Sequence, residues 1–371
     1  MKLALVHDWL NQVGGAEDVL LTLNAMYPRS PIYTSLYAPN IMPDVYRAWD
    51  IRTLWTDRLP AIHTHHQRYL PAYPLAWGAL DLSAYDVVLS NKSGFCHGLK
   101  QGNALHICYC LAPTRYVWQL DAYIAREGMS KATELALRPL VAWLKRWDYA
   151  AAQRVNRFIA ISTDIQARIK TYYNRESDII YPPVETRRFV PMPRDPQSDD
   201  YFLIVSRLIP YKRIDLAVQA ATRLGVRLKI GGKGRDMERL KAMAGETVEF
   251  LGFVPDDELP ALMAKCKAFL FPGLEDFGIT PVQAQAATRP VIAYRGGGAL
   301  DTVREGITGE FFDELTVESL MQVMANFDET RYNPATVREH ALKFDEAVFR
   351  EQLQTTIDGA WQAHLSIRKK G

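Results

Sequence analysis

The stretch from Gly273 to Ala286 brings side chains that could do chemistry to a loop that turns into a helix. Glu275 lies in the loop, where a carboxylate can stabilise developing positive charge, and Gln283 follows inside the helix. Gly278 permits a sharp turn, and the spacing of Thr280 and Gln283 is that of a helix capping box. A local structural role therefore suffices to explain Gln283, and a role in a binding site is the alternative.

Two cations follow a short apolar run in the second half of the chain. Arg207 comes just past a predicted buried strand, and Lys212 precedes the next helix. Open α/β sheets bind ligands at the carboxyl ends of their strands, and two cations there would suit a diphosphate. The alternative is a solvated pair of surface charges.

Glycines at strand–helix junctions form a third group of candidates. Gly14 and Gly15 precede an amphipathic helix that starts near Ala16. Such glycines let a backbone approach a ligand closely, and a helix N-terminus offers free N–H groups to a phosphate, although the same pair is also a common turn. Glycine-rich turns at 231–234 and 296–298 follow apolar runs in the same way. The first lacks the spacing of a dinucleotide fingerprint and is predicted to line a cleft, and the second could contact a phosphate or sugar.

The composition of the chain limits its domain number, partners and location. The chain has 371 residues, of which 48% are hydrophobic and 23% charged, and its formal net charge is +2. This predicts a soluble protein of two domains and gives no reason to expect nucleic acid as a partner. The apolar run at the amino terminus is too short for a signal peptide, so we expect a cytoplasmic location. Four cysteines form neither a metal motif nor a disulfide framework: Cys96, Cys108, Cys110 and Cys266.

Short apolar runs alternate with helical segments along both halves of the chain. This pattern predicts an α/β protein with two Rossmann-like, doubly wound parallel-sheet domains that face a cleft. The domains are expected at 1–190 and 201–345, joined by the proline- and aspartate-rich linker 191–200. A final helical segment within 346–371 is long enough to pack back on the first domain.

Five motifs carry a resemblance to a known family. They are "VGGAE", "SRLIPYKRIDLAVQA", "FLGFVPDDEL", "LEDFGITPVQAQA" and "PVIAYRGGGALDTV". Together they resemble glycosyltransferase family 4, the retaining GT-B enzymes that use nucleotide sugars. The first domain looks most like bacterial O-antigen and exopolysaccharide mannosyltransferases. The resemblance implies transfer of a hexosyl unit, mannose from GDP-mannose above all, to a saccharide or polyprenyl-diphosphate-linked acceptor at the inner membrane face in surface polysaccharide synthesis, with neither a metal nor a further cofactor.

The resemblance also assigns roles to residues. Arg207 and Lys212, with the Gly15 amide, would hold the donor diphosphate and stabilise the leaving group. Glu275 would lie at the donor sugar and reacting centre, and Gln283 at the ribose. The donor-side residues implied are Gly14, Gly15, Arg207, Lys212, Phe253, Val254, Glu275, Phe277, Gly278, Ile279, Thr280 and Gln283.

Two positions depart from the family pattern, and both lack an ionisable group. The second glutamate of the E-x7-E motif is Gln283, and Leu111 stands where related enzymes have the histidine of H-[ST]-P-x-R. The alternative function is therefore a degenerate, non-catalytic nucleotide-sugar-binding protein or partner subunit. A GT-B epimerase or phosphorylase is a third hypothesis, and UDP-glucose or UDP-glucuronate would fit the same phosphate-binding residues.

Other residues of the first domain have alternative interpretations. Arg115, Tyr116 and Trp118 directly follow an apolar strand and are predicted on the acceptor side. The segment 140–155 mixes tryptophans with cations, which suits a membrane surface, although aromatics at helical spacing more often lie in the core. The histidines of "HTHH", His63–His66, are predicted to form a polar loop rather than a zinc site, because no carboxylate or cysteine partner is fixed nearby.

Overall fold

The computed structural model describes residues 1–119, 131–195 and 198–368, and side chains 131–136 are outside its description. Residues 196–197 of the predicted linker and residues 369–371 of the predicted C-terminal segment thus lie outside the described residues. The chain divides into two compact units. The first comprises Met1–Tyr181 and Phe349–Gly371, and the second comprises Pro182–Val348.

The first unit is built on a seven-stranded sheet in which all described strand pairs are parallel. Its strands are β1 Leu3–His7, β2 Ile32–Thr34, β3 Ile51–Thr53, β4 Val87–Lys92, β5 Leu105–Cys110, β6 Arg157–Ala160 and β7 Ser177–Ile179. Their order is β3-β2-β1-β4-β5-β6-β7. Since strands are added on one side of β1 and then on the other, the topological switch point lies between β1 and β4.

The second unit contains a six-stranded sheet, also parallel throughout its described pairs. Its strands are β8 Phe202–Val205, β9 Leu228–Gly231, β10 Val248–Gly252, β11 Ala268–Phe271, β12 Val291–Tyr294 and β13 Gly309–Phe312. The order β10-β9-β8-β11-β12-β13 places the switch point between β8 and β11. The prediction of two doubly wound parallel-sheet α/β domains is confirmed.

Helices connect the strands of both sheets. The α-helices are α1 Gly15–Met26, α2 Ile62–His65, α3 Ala72–Ala79, α4 Arg115–Trp118, α5 Lys131–Arg154, α6 Thr163–Tyr173, α7 Ile214–Leu224, α8 Met237–Ala242, α9 Leu259–Lys265, α10 Ile279–Ala286, α11 Ala299–Thr302, α12 Val317–Ala325, α13 Pro334–Leu342 and α14 Glu346–Arg368. Short 3₁₀ helices span Asp44–Ala48, Trp55–Arg58, His66–Tyr69, Cys96–Gly98, Thr186–Arg188, Pro210–Lys212 and Glu329–Arg331. Apolar residues repeat along one side of these helices and pack on the sheets, as the sequence pattern predicts.

The last helix, α14, belongs to the first unit from Phe349 onward. Phe349 is buried and its ring lies 5.5 Å from that of Tyr109, measured between centroids. Gln354 accepts a hydrogen bond of 2.8 Å from the hydroxyl of Tyr27. The apolar face of a helix at the end of the sequence is thus buried on the sheet with which the sequence begins.

The boundary between the units lies at Tyr181/Pro182, earlier than the predicted end of the first domain at 190. The segment predicted as a linker belongs to the second unit, because its polar groups find partners there. Arg194 pairs with Glu329 and donates to the carbonyls of Lys265 at 2.9 Å and Asp199 at 2.8 Å. A proline- and aspartate-rich composition therefore marks an irregular segment here, but not a free one.

All four cysteines are free and buried. Burial raises the pKa of the Cys266 thiol to about 12, so this thiol stays protonated at neutral pH. None of the described helices is both long enough and apolar enough to cross a bilayer.

Candidate functional site

An ion pair lies at the switch point of the second unit. Lys212 ends the 3₁₀ helix that follows β8, and Glu275 lies in the loop after β11, the neighbouring strand. The Lys212 ammonium donates a hydrogen bond to Oε2 of Glu275, and the two side chains are 15% and 19% exposed. The sequence predicted both residues for the site, and the fold brings them into contact with each other.

Arg207 lies at the same edge of the sheet but in a different environment. It follows β8 and is exposed, and its guanidinium makes no hydrogen bond or ion pair with another residue in the described ranges. Lys212 is already neutralised by a carboxylate, so the exposed guanidinium is the more open of the two cations. Arginine can bind two phosphate oxygens at once, which suits the predicted diphosphate role.

Glycines 296–298 hold the loop that carries Glu275. The amide of Gly298 donates to the carbonyl oxygen of Glu275 at 2.8 Å. A Cβ atom on Gly297 would lie 2.2 Å from that same oxygen, and one on Gly298 would lie 2.1 Å from the Cα of Phe277. These glycines therefore have a packing role, which is to let two loops approach closely enough to fix the position of Glu275.

The glycine-rich turn after β9 supports Arg207 in the same way. Gly232 has a φ of 129°, and a Cβ on it would lie 1.8 Å from the carbonyl oxygen of Ser206. A Cβ on Gly234 would lie 2.1 Å from the carbonyl oxygen of Leu208. Both neighbours of Arg207 are thus in close backbone contact with a turn that only glycine can form.

Helix α10 begins differently from the sequence prediction. Its N-cap is Gly278, with a φ of 105°, and no side chain caps it. Thr280 is the second helical residue, so the predicted capping box of Thr280 and Gln283 is wrong. A cap with a φ of 105° favours glycine, and this preference outweighs that of threonine for the N-cap. Gln283 is partly exposed, and its side chain bonds to none of the residues in the described ranges.

The remaining predicted donor residues occupy the same edge of the second sheet. Phe253 follows β10 and is 67% exposed, with the Lys233 ammonium 5.9 Å from its ring centroid. Val254 packs on Gly231, where a Cβ would lie 2.7 Å from the valine methyl. Phe277 is buried, so it can offer its backbone but not its ring.

A small cavity of about 10 Å³ lies beside the ion pair, lined in part by Ser206, Lys212, Glu275 and Thr280. This volume holds about one water molecule, so the cavity itself is too small for a nucleotide sugar. Larger pockets of about 340 and 680 Å³ lie elsewhere, one beside β13 and the other beside Met1. Neither pocket is lined by a predicted site residue.

In the first unit, Gly14 and Gly15 begin helix α1 at the carboxyl edge of the sheet. Gly14 is the N-cap in an extended conformation, and no side chain caps the helix. Near the end of β4, the side-chain amide of Asn91 donates a hydrogen bond to the backbone carbonyl of Ala16 at 2.8 Å. Nε2 of the buried His7 lies 3.4 Å from a carboxylate oxygen of the buried Glu17. Side chains at two strand ends thus fix this helix N-terminus.

Asp8 is a residue that the sequence interpretation missed. It follows β1, is fully buried, and accepts hydrogen bonds from four consecutive backbone amides after β4. These run from Ser93 at 2.7 Å, Gly94 at 2.6 Å, Phe95 at 2.6 Å and Cys96 at 2.8 Å. The available signal was an aspartate just after the apolar run Leu3–Val6 and His7, because a carboxylate buried at a strand end needs partners.

The predicted acceptor-side residues lie on the single turn of helix α4. The ring of Tyr116 is 6.4 Å from that of Trp9, and Trp118 stacks on Tyr172 at 4.9 Å. Leu111, at the family's histidine position, is buried at the end of β5 and donates its backbone amide to the Lys92 carbonyl at 2.8 Å. Packing therefore occupies the position at which related enzymes place a polar side chain.

The histidine-rich segment was predicted as a polar loop, but it forms helix α2 and the start of the 3₁₀ helix His66–Tyr69. Three separate contacts hold it. Nε2 of His63 lies 2.8 Å from Asp57, His65 contacts Thr64 at 2.8 Å, and Nδ1 of His66 lies 3.1 Å from the Asn11 amide. Burial lowers the pKa of His66, which keeps its imidazole neutral at pH 7. Across the described residues, no three side chains of His, Cys, Asp or Glu are grouped as metal ligands.

The fold places the chain in a known class of proteins. A crystal structure of Anabaena Alr3699/HepE in complex with UDP superposes with a TM-score of 0.69 at 17% identity, covering 97% of this chain and 100% of that one. Two parallel-sheet α/β domains and this likeness define the GT-B fold of glycosyltransferases.

Two family models match consecutive parts of the chain. Residues 13–188 match "Glycosyltransferase Family 4", and residues 189–343 match "Glycosyl transferases group 1". The chain belongs to glycosyltransferase family 4, which confirms the resemblance seen in its motifs.

Curated relatives include mannosyltransferases. A GDP-mannose-dependent alpha-(1-6)-phosphatidylinositol monomannoside mannosyltransferase of Mycolicibacterium smegmatis is 34% identical over 38% of this chain and 44% of its own length. The mouse alpha-1,3/1,6-mannosyltransferase ALG2 is 25% identical over 92% of both chains. The chain spans about half the length of the first curated relatives that it matches.

Proposed function

We propose that this glycosyltransferase moves a mannosyl unit from GDP-mannose to a lipid-linked or saccharide acceptor, with retention of anomeric configuration. The observation that carries the proposal is the contact between Lys212 and Glu275 at the switch point of the second sheet. This is the position at which open α/β sheets bind nucleotides. The names of the two mannosyltransferase relatives support the choice of mannose, and the first of them supports GDP as the carrier.

The chemistry follows from the charges at that edge. Cleavage of the bond between the anomeric carbon and the diphosphate leaves negative charge on the phosphate and positive charge on the sugar. Arg207, Lys212 and the uncapped N-terminus of α10 would stabilise the first charge, and Glu275 the second. A bound diphosphate would compete with Glu275 for the Lys212 ammonium and would release the carboxylate toward the sugar.

Retention and metal independence belong to the same proposal. With two cations and helix amides on the diphosphate, the leaving group has charge stabilisation without a metal ion. We propose that the acceptor hydroxyl attacks the face from which the diphosphate leaves, and that a leaving-phosphate oxygen takes its proton. The acceptor oxygen then forms a bond to the anomeric carbon as the bond to the diphosphate breaks, and GDP departs.

The acceptor is proposed to be a polyprenyl-diphosphate-linked or other saccharide of bacterial surface polysaccharide synthesis, reached at the cytoplasmic membrane face.

Exposed side chains of α5 support transient contact with that membrane. Trp143 is 42% and Tyr149 is 41% exposed, and the exposed cations Lys145 and Arg146 lie between them. Trp147, by contrast, is partly buried against Phe95, with ring centroids 5.9 Å apart. The exposed face therefore has aromatic and cationic side chains that suit an anionic surface.

A donor panel tests the proposal. Melting temperature is measured with GDP-mannose, GDP, UDP-glucose and UDP-glucuronate, and product formation is assayed with lipid-linked saccharide extracts. Stabilisation by GDP-mannose beyond that by GDP is expected, because a ligand that binds only the folded state raises its stability. Glu275→Gln should abolish turnover but retain binding, whereas Glu258→Gln, an exposed carboxylate, should be active. Binding of UDP sugars alone would overturn the GDP-mannose assignment.

A second candidate is a nucleotide-sugar-binding protein without transferase activity. Two observations favour it: Gln283 has no carboxylate, and Leu111 buries an apolar side chain at the histidine position. Under this alternative a nucleotide sugar stabilises the protein but no donor and acceptor pair yields product. Restoration of turnover by Gln283→Glu would identify the amide as the cause.

A further inference from the structure

The first unit contains a buried carboxylate that the proposed chemistry does not use. Asp148, on α5, is fully buried, and three side-chain donors lie within hydrogen-bond distance of its carboxylate. The indole N–H of Trp118 donates to Oδ2 at 2.6 Å, the hydroxyl of Tyr173 to the same oxygen at 2.8 Å, and the hydroxyl of Thr114 lies 2.8 Å from Oδ1. Two of these three donors, Thr114 and Trp118, mark the two ends of the turn Arg115–Trp118.

A buried cation lies on the other side of Thr114. The ammonium of Lys92, fully buried at the end of β4, donates to the carbonyl of Ala112 at 3.0 Å and to the Thr114 hydroxyl at 3.3 Å. It also lies 5.6 Å from the ring centroid of Tyr173. Thr114 can accept from Lys92 while its single proton goes to Asp148 or to the Gly94 carbonyl, 2.7 Å away. Lys92, Thr114 and Asp148 thus form a continuous bridge, which we call the buried bridge.

Lys92 is a buried cation that faces Asp148 across the Thr114 hydroxyl. His97 is near as well, with Nε2 3.5 Å from Oδ1 of Asp148. Burial lowers the pKa of His97 well below its usual range, with the charge of Lys92 adding to the effect, so the imidazole is neutral. A buried ion pair gives little net stability compared with apolar packing of the same volume. Stability alone is therefore a weak reason for two buried charges here.

The bridge acts on a segment that cannot hold its own shape. Helix α4 is one turn of four residues, so few of its backbone groups have partners within the helix. Thr114 is its N-cap and Trp118 its last residue, and both bond to Asp148. Both ends of the turn are therefore anchored to one carboxylate on α5. Arg115 and Tyr116, two of the three predicted acceptor-side residues, lie between these anchors, and the third, Trp118, is itself an anchor.

We propose that Lys92, Thr114 and Asp148 are positioning residues that set the orientation of the Arg115–Trp118 turn for the acceptor. This rests on the proposed transferase function. None of the three touches substrate in this proposal, and each acts through the turn. The bridge would keep Arg115 and Tyr116 in place before the acceptor arrives, which lowers the entropic cost of binding.

Two isosteric variants separate positioning from stability. Thr114→Val deletes the hydroxyl between Lys92 and Asp148, on the turn side of the carboxylate. Tyr173→Phe deletes a hydroxyl that donates to the same carboxylate from α6, outside the turn. Thr114→Ser restores the hydroxyl. We measure hydrogen–deuterium exchange of residues 111–119, the Kd for GDP-mannose, and the dependence of rate on the concentration of a lipid-linked saccharide extract.

Thr114→Val is expected to raise amide exchange in 111–119 and to raise the acceptor KM about tenfold, with donor Kd unchanged. Tyr173→Phe should lower stability to a similar degree without either change, and Thr114→Ser should behave like the unaltered protein. Equal exchange in 111–119 for Thr114→Val and Tyr173→Phe would overturn the positioning role. Faster exchange with an unchanged acceptor KM would overturn its connection to the acceptor. Absence of turnover in the unaltered protein would count against the proposed function, whereas the exchange comparison would still test the bridge.

Discussion

The two units have the same kind of switch point and use it in opposite ways. In the first unit, Asp8 follows β1 and its carboxylate is saturated by four backbone amides from the loop after β4. In the second unit, Glu275 follows β11 and pairs with one side chain, Lys212, from the loop after β8. Asp8 is fully buried, whereas Glu275 is 19% exposed.

This difference separates a structural contact from an exchangeable one. A carboxylate with four N–H donors has no remaining capacity for a ligand, and its removal leaves four buried amides unpaired. The Lys212–Glu275 pair keeps some exposure to solvent, so a diphosphate could take the place of the carboxylate beside Lys212. One switch point thus holds two loops together, and the other is available to bind a ligand.

The largest effect is expected from Asp8→Asn. The amide presents an NH₂ group where the carboxylate received N–H donors, and we expect the free energy of unfolding to fall by about 3 kcal/mol. All eight tryptophans lie in the first unit, so tryptophan fluorescence in urea reports its unfolding. Asp81→Asn is the control, because this exposed carboxylate accepts a hydrogen bond from one backbone amide, that of Ser83, at 2.9 Å. A loss equal to that of the control would contradict the structural assignment of Asp8.

Lys212→Ala should show the opposite behaviour. Nucleotide-sugar affinity should fall roughly thirtyfold, or about 2 kcal/mol, because a charge-assisted bond to the diphosphate is lost. Stability should change by less than about 1 kcal/mol, since the pair with Glu275 is partly exposed. Calorimetric titration with GDP-mannose and urea unfolding measure the two quantities. Lys241→Ala serves as the control, because Lys241 is in an exposed pair with Glu238 at 3.6 Å. A large loss of stability in Lys212→Ala with unchanged affinity would show that the second switch point is structural as well.

Acidification should weaken the second unit through His340. Burial, with the charges of Lys343 and Arg304, lowers its pKa from 6.5 to about 4. The unfolded chain therefore binds the extra proton between pH 6.5 and 4, so stability is full above this window and falls as the pH drops through it. His340→Gln should make the fall between pH 7 and pH 5 smaller by about 1 kcal/mol. Urea unfolding followed by circular dichroism tests this, and an unchanged slope would refute the assignment.

The smallest effect on stability is expected from Gln283→Ala. A capping glutamine would contribute about 1 kcal/mol, but α10 is capped by Gly278, so we expect a change below about 0.5 kcal/mol. Gln283→Glu should strengthen nucleotide-sugar binding several-fold if the position faces the ribose, because a charge-assisted bond is stronger than a neutral one. Thermal unfolding and titration measure the two effects. A stability loss of 1 kcal/mol for the alanine variant would restore a structural role for Gln283.

Much of the fold was predictable because it depends on local patterns. Apolar runs alternating with helical segments predicted both parallel sheets, and α14 was expected near its observed range, Glu346–Arg368. The capping box failed because Thr280 fits a local rule, whereas the left-handed turn at Gly278 is set by packing on Phe271, 2.9 Å from where its Cβ would lie. The compact units divide at Tyr181/Pro182, before the predicted boundary at 190, and Arg194 of the predicted linker finds its partners far along the chain.

Motif order was enough to predict the class of the protein, and periodicity placed the candidate donor residues Arg207, Lys212 and Glu275 after predicted strands. Which of these residues meet depends on the order of the strands in the sheet. Strand order makes β8 and β11 neighbours, and so it pairs Lys212 with Glu275, while the order of the first sheet directs Asp8 to the amides of the loop after β4. Contacts between residues distant in sequence depend on this order, because a strand's own pattern specifies which faces are buried but not which strand lies beside it.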